Sequence, residues 1–219
     1  MNERATQAEH ARTRTQGARR LRVLLILPDL SGGGAERTTL NLQQHLDTTR
    51  YEVEIALLEA RGEYLAATPD AHWIAPRAGF LQRMAMRSRP DTLARALPQV
   101  LLLRSLVKSR RPDVVMSSMA DVSVPLAFAW KLMPGMRRRT RWIAREGNNT
   151  AVVLQETFPH PFLRRLVERI IARAYRGADA VIVTSQGVAA DLAGRLGLKR
   201  DKLVVIGNPV DTGAIQEAV

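Results

Sequence analysis

Short apolar runs alternate with longer segments of helical spacing along most of this chain, and this alternation constrains its fold more than any other feature of the sequence. Two of the runs, residues 23–27 and 181–183, are apolar at every position. Continuous apolar strands are typical of parallel sheets, because helices cover both faces of such sheets. The sequence therefore predicts an α/β fold in which helices flank a Rossmann-like parallel sheet.

The boundaries of these elements follow from the β-rich runs and from the helical spacing between them. In the fourth helix, apolar residues recur at helical spacing with arginines between them, so one face is expected to pack and the other to meet water. Residues 80–90 carry apolar residues among arginines and are either a loop or a basic amphipathic helix on a membrane. The predicted strands are residues 22–27, 52–58, 71–75, 113–117, 140–145, 180–184 and 203–206, and the predicted helices are residues 35–46, 91–109, 122–133, 161–176 and 186–196.

The length of 219 residues and the apolar content of 46% suffice for one sizeable core. Residues 1–20 contain no apolar stretch and are expected to be a disordered basic tail, residues 21–211 the folded domain, and residues 212–219 the start of an interdomain linker. The sequence has no cysteine, which excludes disulfides and thiolate metal sites and is compatible with the cytoplasm. The longest apolar runs have roughly half of the ~20 residues that a membrane-spanning helix needs.

Positive charge is concentrated in two stretches of the chain, whose formal net charge is +12. Residues 77–111 contain nine Lys or Arg against one acid, and residues 131–145 contain six and no acid. Such a surface attracts the phosphates of a nucleic acid, an anionic lipid or a diphosphate substrate, with solvated arginines that bind nothing as the alternative. Trp73, Trp130 and Trp142 fall in or near predicted core elements, away from the arginines, so base stacking on a nucleic acid is not favoured.

Three consecutive glycines, Gly32, Gly33 and Gly34, stand between the first predicted strand and the first predicted helix. In an open parallel sheet, ligands bind at the carboxyl ends of strands, and glycines let amides at a helix start approach an anion closely. Glu36 and Arg37, just inside the helix, add a hydrogen-bonding pair. The turn therefore predicts a phosphate-binding site, with a flexible turn that binds nothing as the alternative.

Two better-known phosphate loops fit this turn poorly. A P-loop needs Gly-Lys-Ser or Gly-Lys-Thr, which does not follow here. The dinucleotide fingerprint needs a glycine or alanine where Arg37 stands. Glu59 at the end of the second predicted strand has the position of a ribose-binding acid, which keeps a nicotinamide dinucleotide-binding protein open as an alternative.

The chain carries motifs at residues 31–37, 143–149, 177–185 and 202–211 that resemble, in this order, those of retaining GT-B glycosyltransferases of the fourth sequence family. Residues 31–37 are similar to the family's Gly-Gly-Ala-Glu-Arg loop, and residues 143–149 to its arginine and asparagine cluster after a core strand. Residues 177–185 resemble its Ala-Asp-Ala-Val-Ile strand with the serine that follows, and residues 202–211 resemble the strand and turn that end its first domain. The resemblance extends over about residues 21–211.

Two positions depart from the family's pattern. Pro209 replaces the usual glycine of the final turn. The histidine that some relatives carry after the fourth strand is absent, and Ser117, Ser118 and Asp121 stand there instead. The second departure leaves the chemistry on the acceptor side open.

The resemblance implies the N-terminal, acceptor-side domain of an enzyme that transfers a sugar from a nucleotide-sugar to a glycan or a lipid-linked acceptor. It implies that the glycine amides approach the donor diphosphate, that Arg145 and Arg37 add positive charge near phosphates or an anionic acceptor, and that the asparagines meet sugar hydroxyls. Asp121 is a candidate acceptor-side base, although retaining enzymes of this kind are thought to pass the proton to the departing phosphate. The implied binding residues are Gly32, Gly33, Gly34, Glu36, Arg37, Arg145, Asn148, Asn149, Ser185 and Asn208.

The resemblance also implies partners and limits. A second domain with paired glutamates would hold most of the donor, so this chain alone is expected to be inactive. No cofactor is expected beyond the nucleotide-sugar as co-substrate, and no metal, because the four histidines are scattered and no Asp-x-Asp pair occurs. The expectation is a cytoplasmic enzyme of polysaccharide biosynthesis, peripheral on an anionic inner membrane face. A basic module that binds nucleic acid or membrane is the remaining alternative.

Overall fold

Six strands form one parallel sheet in this computed structural model, which describes residues 19–59, 61–66 and 92–209, without the side chains of residues 92–98. The strand order is β2-β1-β3-β4-β5-β6, and every neighbouring pair is parallel. The strands are β1 (Leu21–Leu27), β2 (Tyr51–Leu57), β3 (Val114–Ser118), β4 (Arg141–Glu146), β5 (Ala180–Val183) and β6 (Leu203–Val205). The expected fold class is therefore confirmed.

Helices connect these strands in the order that the sequence predicts. They are α1 (Gly34–His45), α2 (Thr92–Arg110), α3 (Met119–Lys131), α4 (Thr150–Thr157), α5 (Pro161–Gly177) and α6 (Gln186–Leu196), with short 3-10 turns at Glu63–Leu65, Met136–Arg138 and Arg200–Lys202. Five of the helices match the predicted ones to within a few residues, and α4 is an addition. None of the described helices is long and apolar enough to cross a membrane.

Several predicted segments lie outside the described residues. These are the basic tail up to residue 18, the strand at residues 71–75, the arginine-rich segment at residues 80–90 and the stretch after residue 209. Of the three tryptophans, Trp73 also lies outside the described residues. These expectations stay predictions.

The central strands of the sheet are buried on both faces, as their continuous apolar sequences predict, whereas the edge strand β6 is largely exposed. Alternate residues of β1 enter different hydrophobic clusters: Leu24 and Ile26 join the larger cluster, and Leu25 and Leu27 join the smaller one. Helices α2, α3, α5 and α6 supply the larger cluster, and α1 contributes Leu40 to the smaller one. Each fully buried Leu or Ile contributes about 1.5–3 kcal/mol relative to exposure, so β1 anchors both layers of the fold.

Trp130 and Trp142 are core residues, as expected from their positions in the sequence. Their ring centroids are 5.8 Å apart in a tilted arrangement, and both side chains are buried. The indole Nε1 of Trp142 donates a hydrogen bond to Ser117 Oγ at 2.9 Å, which satisfies its one polar atom. Neither ring is available on the surface for stacking with a base.

The strand order creates a switch point at the centre of the sheet. From β1 the chain adds β2 on one side, and β3 then returns to the other side of β1. In open α/β sheets, ligands bind in the crevice beyond the carboxyl ends of the strands at such a point. The fold therefore places the candidate site where the segments after β1 and β3 diverge.

Candidate functional site

The three glycines follow β1 at the carboxyl edge of the sheet, as predicted. Gly32 has a φ of +96°, a conformation that favours glycine, and Gly33 is the N-cap of α1 without any side-chain cap. Among the described residues, no protein group accepts a hydrogen bond from the amides of residues 32–36. The start of α1 thus has the unsatisfied donors and the positive dipole end to which anions bind.

The segment after β2 forms hydrogen bonds with the residues that precede the three glycines and so supports the glycine turn. Leu30 N donates to Arg61 O at 2.9 Å, and the buried Asp29 carboxylate accepts hydrogen bonds from Ser31 N at 3.0 Å and from Arg61 Nε at 2.8 Å. Burial works to raise the pKa of Asp29, but the bonds from Ser31 and Arg61 outweigh it and hold that pKa below its usual value. Gly62 has a φ of +123°, and a Cβ there would overlap the Leu30 carbonyl, so the two backbone segments approach closely. No motif in the sequence predicts this support, because Gly62 is an isolated glycine.

Two carboxylates lie against the first two glycines of the turn. A Cβ on Gly33 would be 2.5 Å from Glu36 Oε2, and a Cβ on Gly32 would be 3.1 Å from Glu63 Oε2. A Cβ on Gly34 would meet nothing within 4 Å. The open side of the turn is therefore at Gly34, and an anion is expected to approach the backbone there.

Arg145 lies at the end of β4, and its side chain is only half satisfied. It is 4% exposed, and its Nη2 donates to Asn208 Oδ1 at 2.7 Å. Its Nη1 is buried and has no hydrogen-bond partner among the described residues. Burial lowers the pKa of Arg145, and the nearby charges of Glu146 and Glu36 oppose that effect. A buried N–H without an acceptor is costly, so this geometry is suited to a ligand with negative oxygen.

Ser118, at the end of β3, is the register partner of Arg145 in the neighbouring strand. It is fully buried, and its Oγ also lacks a partner in the described part of the chain. The next residue, Met119, has a φ of +68°, which is uncommon for a residue with a side chain. Two unsatisfied polar groups and a strained backbone thus meet beside the switch point. The sequence identified Ser118 only as occupying the place of an absent histidine.

Glu146 connects this edge of the sheet to the core. Its Oε2 accepts a hydrogen bond from the buried Tyr175 hydroxyl at 2.6 Å, and its Oε1 accepts one from Asn148 N at 2.9 Å. Burial raises the pKa of Glu146, these bonds lower it, and the charge of Asp121 adds to the rise. Asp121 itself, in the first turn of α3, touches solvent, yet the surrounding protein raises its pKa as well. The charge of the predicted Asp121 thus acts on the unpredicted Glu146, and we call these two carboxyl groups the acidic pair.

Glu146 should make folding stability depend on pH. Because its pKa is raised in the folded chain, the folded state keeps a proton that the unfolded state loses above the ordinary value of 4.5, and stability falls as pH rises through that window. We expect Glu146→Gln to gain stability relative to the native chain between pH 4.5 and the raised pKa, measured by urea unfolding. The carboxyl group of Asp29, whose pKa is lowered, titrates below this window. A stability difference that stays constant from about pH 4.5 to about pH 8 would contradict the assignment.

Three predicted residues act as helix caps or backbone anchors in this structure. Asn149 caps α4, where its Oδ1 accepts hydrogen bonds from Ala151 N at 3.0 Å and Val152 N at 3.3 Å. Ser185 caps α6 by accepting from Val188 N at 3.2 Å. Asn148 donates its backbone N–H to Glu146 Oε1, and its side chain is exposed. Their ligand-binding roles stay predictions.

The structure brings together only some of the predicted site residues. Glu36, Arg145 and Asn208 converge at the carboxyl edge beside the glycine turn. Arg37 is exposed and forms no ion pair with any residue that the structure describes. In residues 19–59, 61–66 and 92–209, no group of three or more metal-ligating side chains is placed to hold a metal ion.

Known proteins resemble this chain in sequence and in fold. The model of the family described as Glycosyltransferase Family 4 matches residues 32–214. This match favours a transferase over a protein that binds a nicotinamide dinucleotide. Glu59, the candidate ribose-binding acid, follows β2 as predicted and forms an ion pair with Arg61 at 3.4 Å. Comparison with curated proteins gives no significant match.

Three solved structures illustrate the similarity of fold. A glycosyltransferase from Rickettsia africae ESF-5 is 18% identical with a TM-score of 0.61, over 92% of this chain and 46% of that one. The apo form of the lipopolysaccharide outer core galactosyltransferase WaaB is 12% identical with a TM-score of 0.60, over 87% and 46%. Sucrose-phosphate synthase from Thermosynechococcus elongatus is 17% identical with a TM-score of 0.57, over 91% and 53%. The chain thus spans about half the length of the structures it matches.

Proposed function

The chain belongs to Glycosyltransferase Family 4, and from this premise we propose that it is the acceptor-side, N-terminal half of a retaining GT-B enzyme that takes its sugar from a nucleotide-sugar donor. Family membership supports the reaction class. The half-satisfied Arg145 beside free glycine amides is the observation that supports the site.

Sugar transfer of this kind needs stabilisation of the leaving diphosphate. As the bond between the anomeric carbon and the phosphate oxygen breaks, negative charge grows on the departing phosphate. Preorganised donors aimed at that oxygen stabilise the transition state more than the ground state. The amides at the start of α1 and the Nη1 of Arg145 are donors of this type, held by α1 and β4.

The acceptor is proposed to enter beside the acidic pair. Asp121 keeps contact with solvent, so an acceptor hydroxyl can reach it, while Glu146 is fixed by Tyr175. Asn148 exposes an amide with both donor and acceptor atoms, which suits a sugar. A glycan or lipid-linked acceptor is proposed to be presented at an anionic, cytoplasmic membrane surface, which the formal net charge of +12 supports.

Gly34→Ala tests whether an anion approaches the backbone of the turn. Because a Cβ there meets no protein atom within 4 Å, the chain should remain folded. We expect the methyl group to weaken binding of inorganic pyrophosphate roughly tenfold, the equivalent of about 1.4 kcal/mol, by keeping the anion from the amides. Calorimetric titration of the native and variant chains measures this change.

Gly194→Ala is the matched control, because its Cβ is equally unobstructed but lies on α6, away from the turn. Its affinity for pyrophosphate should equal that of the native chain. Equal affinity of Gly34→Ala and Gly194→Ala would remove the glycine turn from the site. Titration with NAD in parallel separates the nicotinamide alternative, which predicts saturable binding of that dinucleotide.

A further inference from the structure

Helix α5 exposes a row of large apolar side chains. Phe162 is 74% exposed, and Leu163, Leu166 and Ile170 are 43%, 44% and 37% exposed. Phe162, Leu166 and Ile170 are spaced four residues apart and so lie one above another on the helix, with Leu163 beside them. We call these four residues the apolar row. The sequence predicts that the apolar residues of this helix pack against the fold and that its arginines meet water. For these four residues the prediction of packing is wrong, because their side chains are exposed.

Beside the apolar row, a row of arginines runs along the same outer face. Arg165, Arg169 and Arg173 are also four residues apart, and all three are exposed. Within the described part of the chain, none of the three forms an ion pair with a carboxylate. Like charges at this spacing repel one another, so a partner with negative charge would stabilise the helix. These three residues are the arginine row.

The inner face of α5 is fixed, which makes its outer face a preformed surface. Ile171, Ala172, Ala174 and Tyr175 are buried, and the helix packs against α3. Since α5 precedes a strand of the parallel sheet, its first residues lie toward the carboxyl edge of the sheet, where Arg145 lies near the end of β4. The apolar row therefore begins on the side of the molecule that carries the candidate site.

We propose that α5 is the docking surface for an anionic lipid bilayer, with the apolar row in the acyl boundary and the arginine row on the headgroup phosphates. This inference rests on the membrane partner proposed above and names the surface that meets it. Charge decides between the possible occupants. A second copy of this chain in a two-fold contact would bring two arginine rows together, which is repulsive. A nucleic acid would satisfy the arginines and leave the apolar row uncovered.

Binding to vesicles tests the proposal on the full chain. Sedimentation with vesicles of phosphatidylcholine and phosphatidylglycerol in a ratio of about 3:1 should show binding that weakens with salt and is absent without the anionic lipid. The double variant Phe162→Ser, Leu166→Ser and the triple variant Arg165→Gln, Arg169→Gln, Arg173→Gln should each lower the partition coefficient at least about tenfold. Because the substituted side chains are exposed, thermal unfolding should be close to that of the native chain.

A matched triple variant separates this surface from general positive charge. Arg137→Gln, Arg138→Gln, Arg139→Gln removes the same charge from three other exposed arginines and should reduce binding no more than about threefold. Equal losses in the two triple variants, or an unchanged partition of the apolar variant, would overturn the assignment to α5 and leave the membrane partner standing. Failure of the native chain to bind anionic vesicles would overturn both, and would favour an acidic protein surface on α5. Pyrophosphate affinity should be unaffected by all α5 variants, which separates this test from that of the transferase site.

Discussion

Replacing Arg145 with glutamine is expected to weaken the binding of inorganic pyrophosphate about 100-fold, or about 2.7 kcal/mol, without unfolding the chain. The buried guanidinium offers an unpartnered Nη1, and the charge of Glu36 in the first turn of α1 acts on it. A charge-assisted hydrogen bond in a place of low dielectric is strong. Pyrophosphate is the probe because the nucleotide of the donor is not fixed by the site. Calorimetric titration gives the affinity.

Arg145→Lys should recover only part of this loss. Lysine keeps the positive charge but lacks the planar guanidinium. In arginine, Nη2 donates to Asn208 while Nη1 stays available for a ligand. The stability of the Arg145→Met chain gives an independent readout. Burying a guanidinium with an unpartnered N–H is costly, so replacing it with an apolar side chain should be neutral or stabilising.

Opposite signs for binding and stability would show that Arg145 is kept for a ligand. Arg195→Gln is the control, since the guanidinium of Arg195 is half exposed and forms ion pairs with Glu168 at 3.2 Å and Asp191 at 3.5 Å. It should change stability by less than about 1 kcal/mol and leave affinity unchanged. Native affinity in Arg145→Gln, or a large loss of stability in Arg145→Met, would contradict a ligand-binding role.

Gly62→Ala is expected to have the largest effect on stability, a loss of roughly 3 kcal/mol or more. A Cβ at this position would overlap the carbonyl oxygen of Leu30, and the φ of +123° is a conformation that other residues rarely adopt. The overlap is with backbone, so no side-chain rotation relieves it. For a chain of this size, such a loss lowers the Tm by roughly 6–12 °C in a thermal scan.

The same change should also weaken pyrophosphate binding, because Gly62 and Arg61 support the turn at Leu30. Gly194→Ala is a control of opposite sign: it lies inside α6 with no atom near its Cβ, and should gain up to about 1 kcal/mol. A Gly62→Ala chain within about 0.5 kcal/mol of the native one would show that the turn after β2 does not support the glycine turn.

The sequence predicted the fold because its elements are encoded locally. Continuous apolar runs specify strands buried on both sides, and the helical spacing between them specifies the covering layers. Gly32, Gly33 and Gly34 follow the first strand in the sequence, so the sequence also predicted that they lie at the carboxyl edge of the sheet, where every parallel strand ends. The end of β4 placed Arg145 at that edge by the same logic.

Only the tertiary structure decided how these edge residues combine. That β3 returns beside β1, which makes a switch point between them, is a property of strand order and leaves no local signature. The Arg145–Asn208 and Tyr175–Glu146 hydrogen bonds join residues 63 and 29 positions apart, so no spacing in the sequence reveals them. The apolar row of α5 shows the same limit: helical spacing identifies which side chains share a face, while the neighbours that pack on the helix determine which face remains exposed.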